Sequence, residues 1–131
     1  MTPDFLTLED VLDIHTRQLA RFGGGEGMRD LGLLESALAQ PQATFGGEYV
    51  HQNLWEMAAA YLFHICKNHP FVDGNKRAAL AVTIAFLEMN DLRLDAPNRT
   101  LGDMVLGIAE GSVTKADASV FLEKHAGPRH R

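Results

Sequence analysis

The sequence predicts an all-α protein, a compact bundle of about six helices carrying one small β-hairpin as a flap. Segment after segment places apolar residues on one helical stripe. Turn-rich stretches such as RFGGGEGMRD and NDLRLDAP break the chain between these segments. Strand-like character is confined to one short stretch around a Gly-Gly pair, so at most one hairpin is expected.

In chain order, Leu8, Val11, Leu12, Leu19 and Phe22 share a stripe over about 8–22. Thr7 and Asp10 are placed there as a capping box in which Asp stands for the usual Glu. His15 falls on the same stripe, which makes it a buried, hydrogen-bonded histidine rather than a ligand. The glycines of RFGGGEGMRD follow no strand, fail the GxGxxG spacing at Met28 and include no Gly-Lys pair, so the stretch reads as a flexible connector. A second helix, about Asp30 to Gln40, stops before Pro41. Ala43-Thr44-Phe45 and Tyr49-Val50 flank Gly46-Gly47 as a hairpin, mobile unless packed. Leu54 to Lys67 turns Leu54, Met57, Ala58, Tyr61, Leu62 and Ile65 inward, and Lys76 to Met89 is apolar nearly all round, the pattern of a central helix. Helices at about Leu101–Glu110 and Lys115–His125 follow, and AGPRHR reads as a frayed tail.

A chain of 131 residues fits one domain, here residues 1–126 with a flexible tail at 127–131. With 46% apolar and 22% charged residues, global disorder is not expected. A net charge of −5 argues against direct binding to nucleic acid, which needs a basic face to displace counterions. The first residues, MTPDFLTLED, lack the basic flank and apolar core of a signal peptide, and the longest apolar run, Ala78 to Leu87, is half a membrane span. A cytoplasmic protein without membrane contact is the expectation. The one cysteine, Cys66, sits among apolar neighbours and reads as buried and inert.

Function concentrates in HPFVDGNKR, His69 to Arg77, between two helices. The first N–H groups of a helix lack intrahelical acceptors and carry partial positive charge, so the start of the second helix is an anion site. Gly74 allows the turn and a close approach by a bulky anion; Asn75 suits an N-cap or a polar contact. Lys76 and Arg77 stand where the dipole disfavours cations, and a bound phosphate would account for them. Beside a polyphosphate Asp73 offers a hard oxygen ligand for Mg²⁺. His69 can take a proton from a hydroxyl aligned with that phosphate. Pro70 stiffens the loop and Phe71 pins it to the core. Singly, each residue also has a plainer use: His69 as a C-cap, Asp73 and Asn75 as N-caps, Gly74 as a turn glycine, the cations paired with Glu110 or Asp117. Together they exceed what two helix ends need.

The nine residues closely resemble the signature loop of the Fic superfamily, and in particular its death-on-curing (Doc) toxin branch, whose loop reads His-x-Phe-x-Asp-Ala/Gly-Asn-Lys-Arg. His15, Arg21, Gly23-Gly24, Gly27, Met28 and Asp30 extend the similarity upstream. The resemblance implies a helical fold in which a histidine base activates a hydroxyl of a target protein while a nucleoside triphosphate occupies the loop. By position, His69 is then the base, Asp73 the Mg²⁺ ligand, and Gly74, Asn75, Lys76 and Arg77 the nucleotide-phosphate site, the last two also catalytic. A flap of Phe45, Gly46, Gly47, Glu48, Tyr49 and Val50 would hold the target segment by strand pairing.

Lys76 replaces the glycine, and Leu80 the second arginine, that seat the nucleotide in adenylylating members. Both departures are shared with Doc-like members, which resemble kinases that transfer the γ-phosphate of ATP to elongation factor Tu. The inhibitory Ser/Thr-x-x-x-Glu-Gly/Asn helix of many Fic proteins has only a partial counterpart, Ser119 to Lys124, failing at its last position. Inhibition by an antitoxin with a disordered segment is therefore expected. Three readings stand side by side: an ATP- and Mg²⁺-dependent kinase toxin acting on a Ser or Thr of a translation factor, an adenylyltransferase on the same fold, and a non-catalytic module that binds an anion or a partner.

Overall fold

Four of the six helices begin where a short polar side chain replaces the missing helical acceptor. The computed structural model describes residues 2–129. Thr7 opens α1 (Leu8–Phe22) and Thr114 opens α6 (Lys115–His125), each with a reciprocal capping box whose N3 residue is an aspartate. Asp30 accepts from Leu33 N–H at 3.0 Å to start α2 (Leu31–Ala39), and Asn53 accepts from Glu56 N–H at 2.9 Å to start α3 (Leu54–Asn68). The exceptions are α4 (Asn75–Met89) and α5 (Asn98–Glu110), which follow Gly74 and Pro97 with no side-chain cap. These six helices realise the all-α class, and their boundaries lie within about three residues of those the apolar stripes suggest.

The centre of the molecule is the α3–α4 pair. Met57 to Leu62 are all buried, six consecutive residues on every side of α3, because α2, α4, α5 and α6 surround it. Ala58, Ala59 and Ala60 on α3 and Ala78 and Ala79 on α4 let backbones approach closely. α4, expected to be the enclosed helix, buries Ala78, Ala79, Val82, Thr83, Phe86 and Leu87 and leaves Leu80 and Ile84 half-exposed. Its packing against α1 and α5 is less complete, and a groove remains there. Tyr61 anchors the N-terminal segment, its hydroxyl accepting from Leu6 N–H at 3.1 Å while its ring packs 5.0 Å from Phe86. Burial pushes its phenol up to about 12.

Two short antiparallel pairs complete the chain. The hairpin lies where the Gly-Gly pair puts it: β1 (Thr44–Phe45) pairs with β2 (Glu48–Tyr49), Thr44 opposite Tyr49, around Gly46 and Gly47 at positive φ. The second pair joins segments too far apart in sequence for a local signal. β3 (Leu92–Leu94), within the stretch read as a break, pairs with β4 (Ala126–Pro128), at the start of the stretch read as a frayed tail. Trp55 Nε1–H donates to Ala126 C=O at 3.0 Å, and Arg129 N–H donates to Asp91 C=O at 3.0 Å, so the chain is stapled to the fold through Arg129. The rest of the tail, residues 130–131, lies outside the described residues. No helix among the described residues is long and apolar enough to cross a membrane.

Candidate active site

The loop between α3 and α4 owes its shape to residues on both sides. His69 is the C-cap of α3, in the left-handed region at φ 50°, its N–H donating to Ile65 C=O at 3.2 Å. A side chain in that region costs about 1–3 kcal/mol, so neighbouring contacts must hold it. Arg29 does so: its Nε–H donates to His69 C=O at 2.6 Å and its Nη2–H to Asn68 C=O at 2.8 Å. A cation on the last carbonyls of a helix also meets the negative end of its dipole. Both Arg29 and Asp30 N–H then donate to Pro70 C=O, at 2.8 and 2.9 Å. With the backbone so turned, the His69 side chain stands in solvent rather than in the core.

Phe71 is fully buried, as its apolar character demands, and its ring stacks on His15 at 3.7 Å between centroids. His15, buried on α1, places Nε2 at 2.8 Å from Asp73 C=O. A carbonyl only accepts, so Nε2 carries the proton. The structural reading of His15 holds, with a further consequence: it ties α1 to the loop.

Asn75 is buried, and its side chain is spent inside the loop, accepting from Phe71 N–H at 2.9 Å and donating to Phe71 C=O at 3.0 Å. This corrects the expectation of Asn75 as an N-cap, since Gly74 holds that position and the Asn75 side chain is engaged by Phe71. What Asn75 offers a ligand is its backbone N–H.

The glycine-rich stretch after α1 is no flexible connector. Met28 forms a bridge with Phe71, Val72 N–H donates to Gly27 C=O at 3.1 Å, and Gly25 N–H donates to Asp73 Oδ2 at 3.1 Å. Gly24 comes so close that a Cβ there would lie 3.0 Å from Asp73 Oδ2, and its φ of +126° also excludes other residues. The stretch is a strap laid along the loop. Its partners are some 45 positions away in sequence, where no local pattern reveals them.

Asp73 takes one N–H on each oxygen, from Gly25 and, at 2.8 Å, from Gly74. These hydrogen bonds hold its carboxyl below the usual carboxylate range, with the nearby Arg77 adding to the effect. Each oxygen keeps a lone pair, and the side chain is exposed. An ionised, partly free carboxylate of this kind suits a hard cation such as Mg²⁺, which takes one or two carboxylates and completes its shell with other oxygens and water.

Gly74 has φ +75°, and a Cβ there would meet Leu19 Cδ2 at 3.3 Å. The first hydrogen bond of α4 is Ala78 N–H to Gly74 C=O at 2.9 Å. The amides of Asn75, Lys76 and Arg77 precede it and have no helical acceptor. No ion pair occupies Lys76 or Arg77 among the described residues, so the pairing with Glu110 or Asp117 is not seen. His69, Asp73, Gly74, Asn75, Lys76 and Arg77 line one cleft of about 290 Å³. A larger hollow of about 410 Å³ lies behind the strap, but its walls hold no lysine or arginine and include Glu26, so it does not suit an anion.

The hairpin residues Phe45 to Val50 line no part of the cleft. Phe45 is 86% exposed and Val50 is exposed, while Tyr49 packs on Phe5 at 5.8 Å and anchors the base. Among residues the sequence did not mark, Arg29 and Gly25 matter most to the loop. A separate cavity between α3 and α6 holds His51 and Lys115, and Lys115 Nζ donates to His64 Nε2 at 3.2 Å. Burial and the Lys115 charge hold His64 down to about 4.

A helical scaffold with an exposed imidazole, a carboxylate with free lone pairs and an open, cationic helix start on one loop is the arrangement by which the class of this chain can be compared with known proteins. The model of the Fic/DOC family matches residues 5–87, and the chain belongs to that family. It is 45% identical over 93 residues to the Toxin Doc of Mycolicibacterium smegmatis, covering 71% of this chain and 69% of that protein. It is 32% identical over 120 residues to the Protein kinase doc of Escherichia phage P1, covering 91% and 93%.

Proposed function

We propose that this protein is the toxin of a toxin–antitoxin pair and a protein kinase, transferring the γ-phosphate of ATP to a Ser or Thr hydroxyl of a translation factor resembling elongation factor Tu. The observation that carries the reading is the single cleft in which a solvent-exposed His69, the first amides of α4 and two cations with no ion pair among the described residues converge. The relatives' names, Toxin Doc and Protein kinase doc, support both halves of it.

His69 accepts the hydroxyl proton as the oxygen forms its bond to the γ-phosphorus. The bond from that phosphorus to the β–γ bridging oxygen breaks, and ADP leaves with the electron pair. Charge on the transferred group is met by the backbone N–H groups of α4, by Lys76 and by Arg77, all fixed before reaction. Mg²⁺ held by Asp73 would supply further charge neutralisation on the phosphates. The hairpin has free outer edges on which a target segment can add as a strand. Leu80 lies in an apolar groove and offers a phosphate nothing, which favours γ-phosphoryl over adenylyl transfer.

Regulation in trans fits the position of the partial inhibitory stretch. Ser119 and Glu123 of α6 line the cavity of His51 and Lys115 instead of the phosphate cleft. A separate antitoxin with a disordered segment that folds on binding is the matching partner.

Incubation with elongation factor Tu and ATP labelled at the α or the γ position tests the assignment. Label from the γ position in the target, lost in His69→Ala with an unchanged melting temperature, is the expected result. Label from the α position alone would replace kinase by adenylyltransferase; no label across a cytosolic proteome would leave a binding module.

A further inference from the structure

Phe22 closes α1 with its ring 49% exposed, an uneconomical place for a large apolar side chain. Its face is in use: the guanidinium carbon of Arg77 lies 4.8 Å from the ring centroid and that of Arg21 lies 5.1 Å from it. Arg77 lines the phosphate cleft with His69 and Asp73, and also the neighbouring groove of about 360 Å³ that contains Phe22. The ring therefore touches the cleft's cation from outside the cleft.

We propose that Phe22 is a positioning residue that holds the Arg77 guanidinium at the phosphate cleft. Arg77 is exposed and makes no ion pair among the described residues; the Asp73 carboxylate lies near enough to feel its charge but not to pair with it, so the direct contact of its guanidinium is the Phe22 face. An arginine left free would surrender its rotamer freedom when phosphate binds; one already placed loses less, and affinity gains accordingly. The chemistry of the restraint matters. A carboxylate could hold Arg77 equally well, but it would neutralise the charge and occupy the N–H fork that a phosphate needs. A ring quadrupole attracts the cation through its face and leaves the five N–H donors free. A residue serving only to cover the end of α1 could be any apolar side chain. One holding a cation has to be aromatic.

The inference rests on the nucleotide reading of the cleft, and two measurements separate the two. In free protein, the Arg77 side-chain protons should show an upfield ring-current shift by NMR that disappears in Phe22→Leu; no shift in the wild type overturns the inference without reference to any ligand. MgATP binding by calorimetry is then compared across variants. Phe22→Leu should weaken binding about two- to fivefold, the effect of a surface cation–π pair. Phe22→Trp should restore it, and Phe22→Leu should add nothing in an Arg77→Ala background. Equal binding by Phe22→Leu and Phe22→Trp, or a Phe22→Leu loss that persists without Arg77, overturns the positioning role. Should Arg77→Ala bind MgATP as tightly as the wild type, the phosphate assignment of Arg77 itself falls.

Discussion

At the scale of single residues, the role proposed for His69 stands against stability. Its left-handed backbone is uncomfortable for any side chain, yet that conformation turns the imidazole out of the helix end and into the cleft. Glycine would relieve the strain at once. His69→Gly is expected to raise stability by about 0.5–1 kcal/mol in denaturant unfolding while abolishing phosphoryl transfer. A variant that is both less stable and inactive would mean the imidazole also serves the fold. Asn75 teaches the complementary lesson: a polar side chain in the right motif can be consumed by the loop's own backbone, and motif position alone does not distinguish ligand from scaffold.

Among the elements, the strap of Gly24 to Arg29 decides how well the loop is held. Gly25 N–H fixes one oxygen of Asp73, and Gly24 leaves the room for it. Gly24→Ala would set a methyl 3.0 Å from that oxygen and force an unfavourable φ, displacing the carboxylate. The helices pack elsewhere, so global stability should fall by only about 1–2 kcal/mol. The larger effect should appear in the metal dependence: the Mg²⁺ concentration for half-maximal transfer is expected to rise several-fold, with little change in rate at saturating Mg²⁺. An unchanged Mg²⁺ requirement would overturn the proposal that Asp73 holds Mg²⁺. The strap was invisible in the sequence because its hydrogen bonds join residues far apart in the chain, whereas its glycines by themselves only signal freedom.

For the molecule as a whole, stability should depend on pH through His64 on α3, whose imidazole is neutral in the folded state and held down to about 4 by burial first and Lys115 second. Its unfolded value is 6.5, so between pH 6.5 and about 4 the unfolded chain binds the extra proton and the folded one does not. The stabilisation is whole above pH 6.5 and is lost progressively as pH falls through that window. His51, lowered by burial and by Lys115, adds in the same direction. His64→Gln should flatten the fall in melting temperature between pH 6.5 and 4.5. An equally steep fall in that variant would place the acid sensitivity elsewhere.

Local information was enough to place the six helices, the Thr7–Asp10 capping box and the turn at HPFVDGNKR, because periodicity, capping and turn formation act within a few residues of each other. The Gly-Gly hairpin belongs to the same short-range class. Tertiary structure alone decided which helix is most enclosed, since α3 and α4 are both apolar and only the placement of α2, α5 and α6 breaks the tie. It also decided that the glycine stretch is a strap, that Ala126–Pro128 form a strand, and that Arg29 clamps the histidine. Each depends on hydrogen bonds spanning about 35 to 50 positions of chain, and such partners are chosen by packing rather than by sequence neighbourhood.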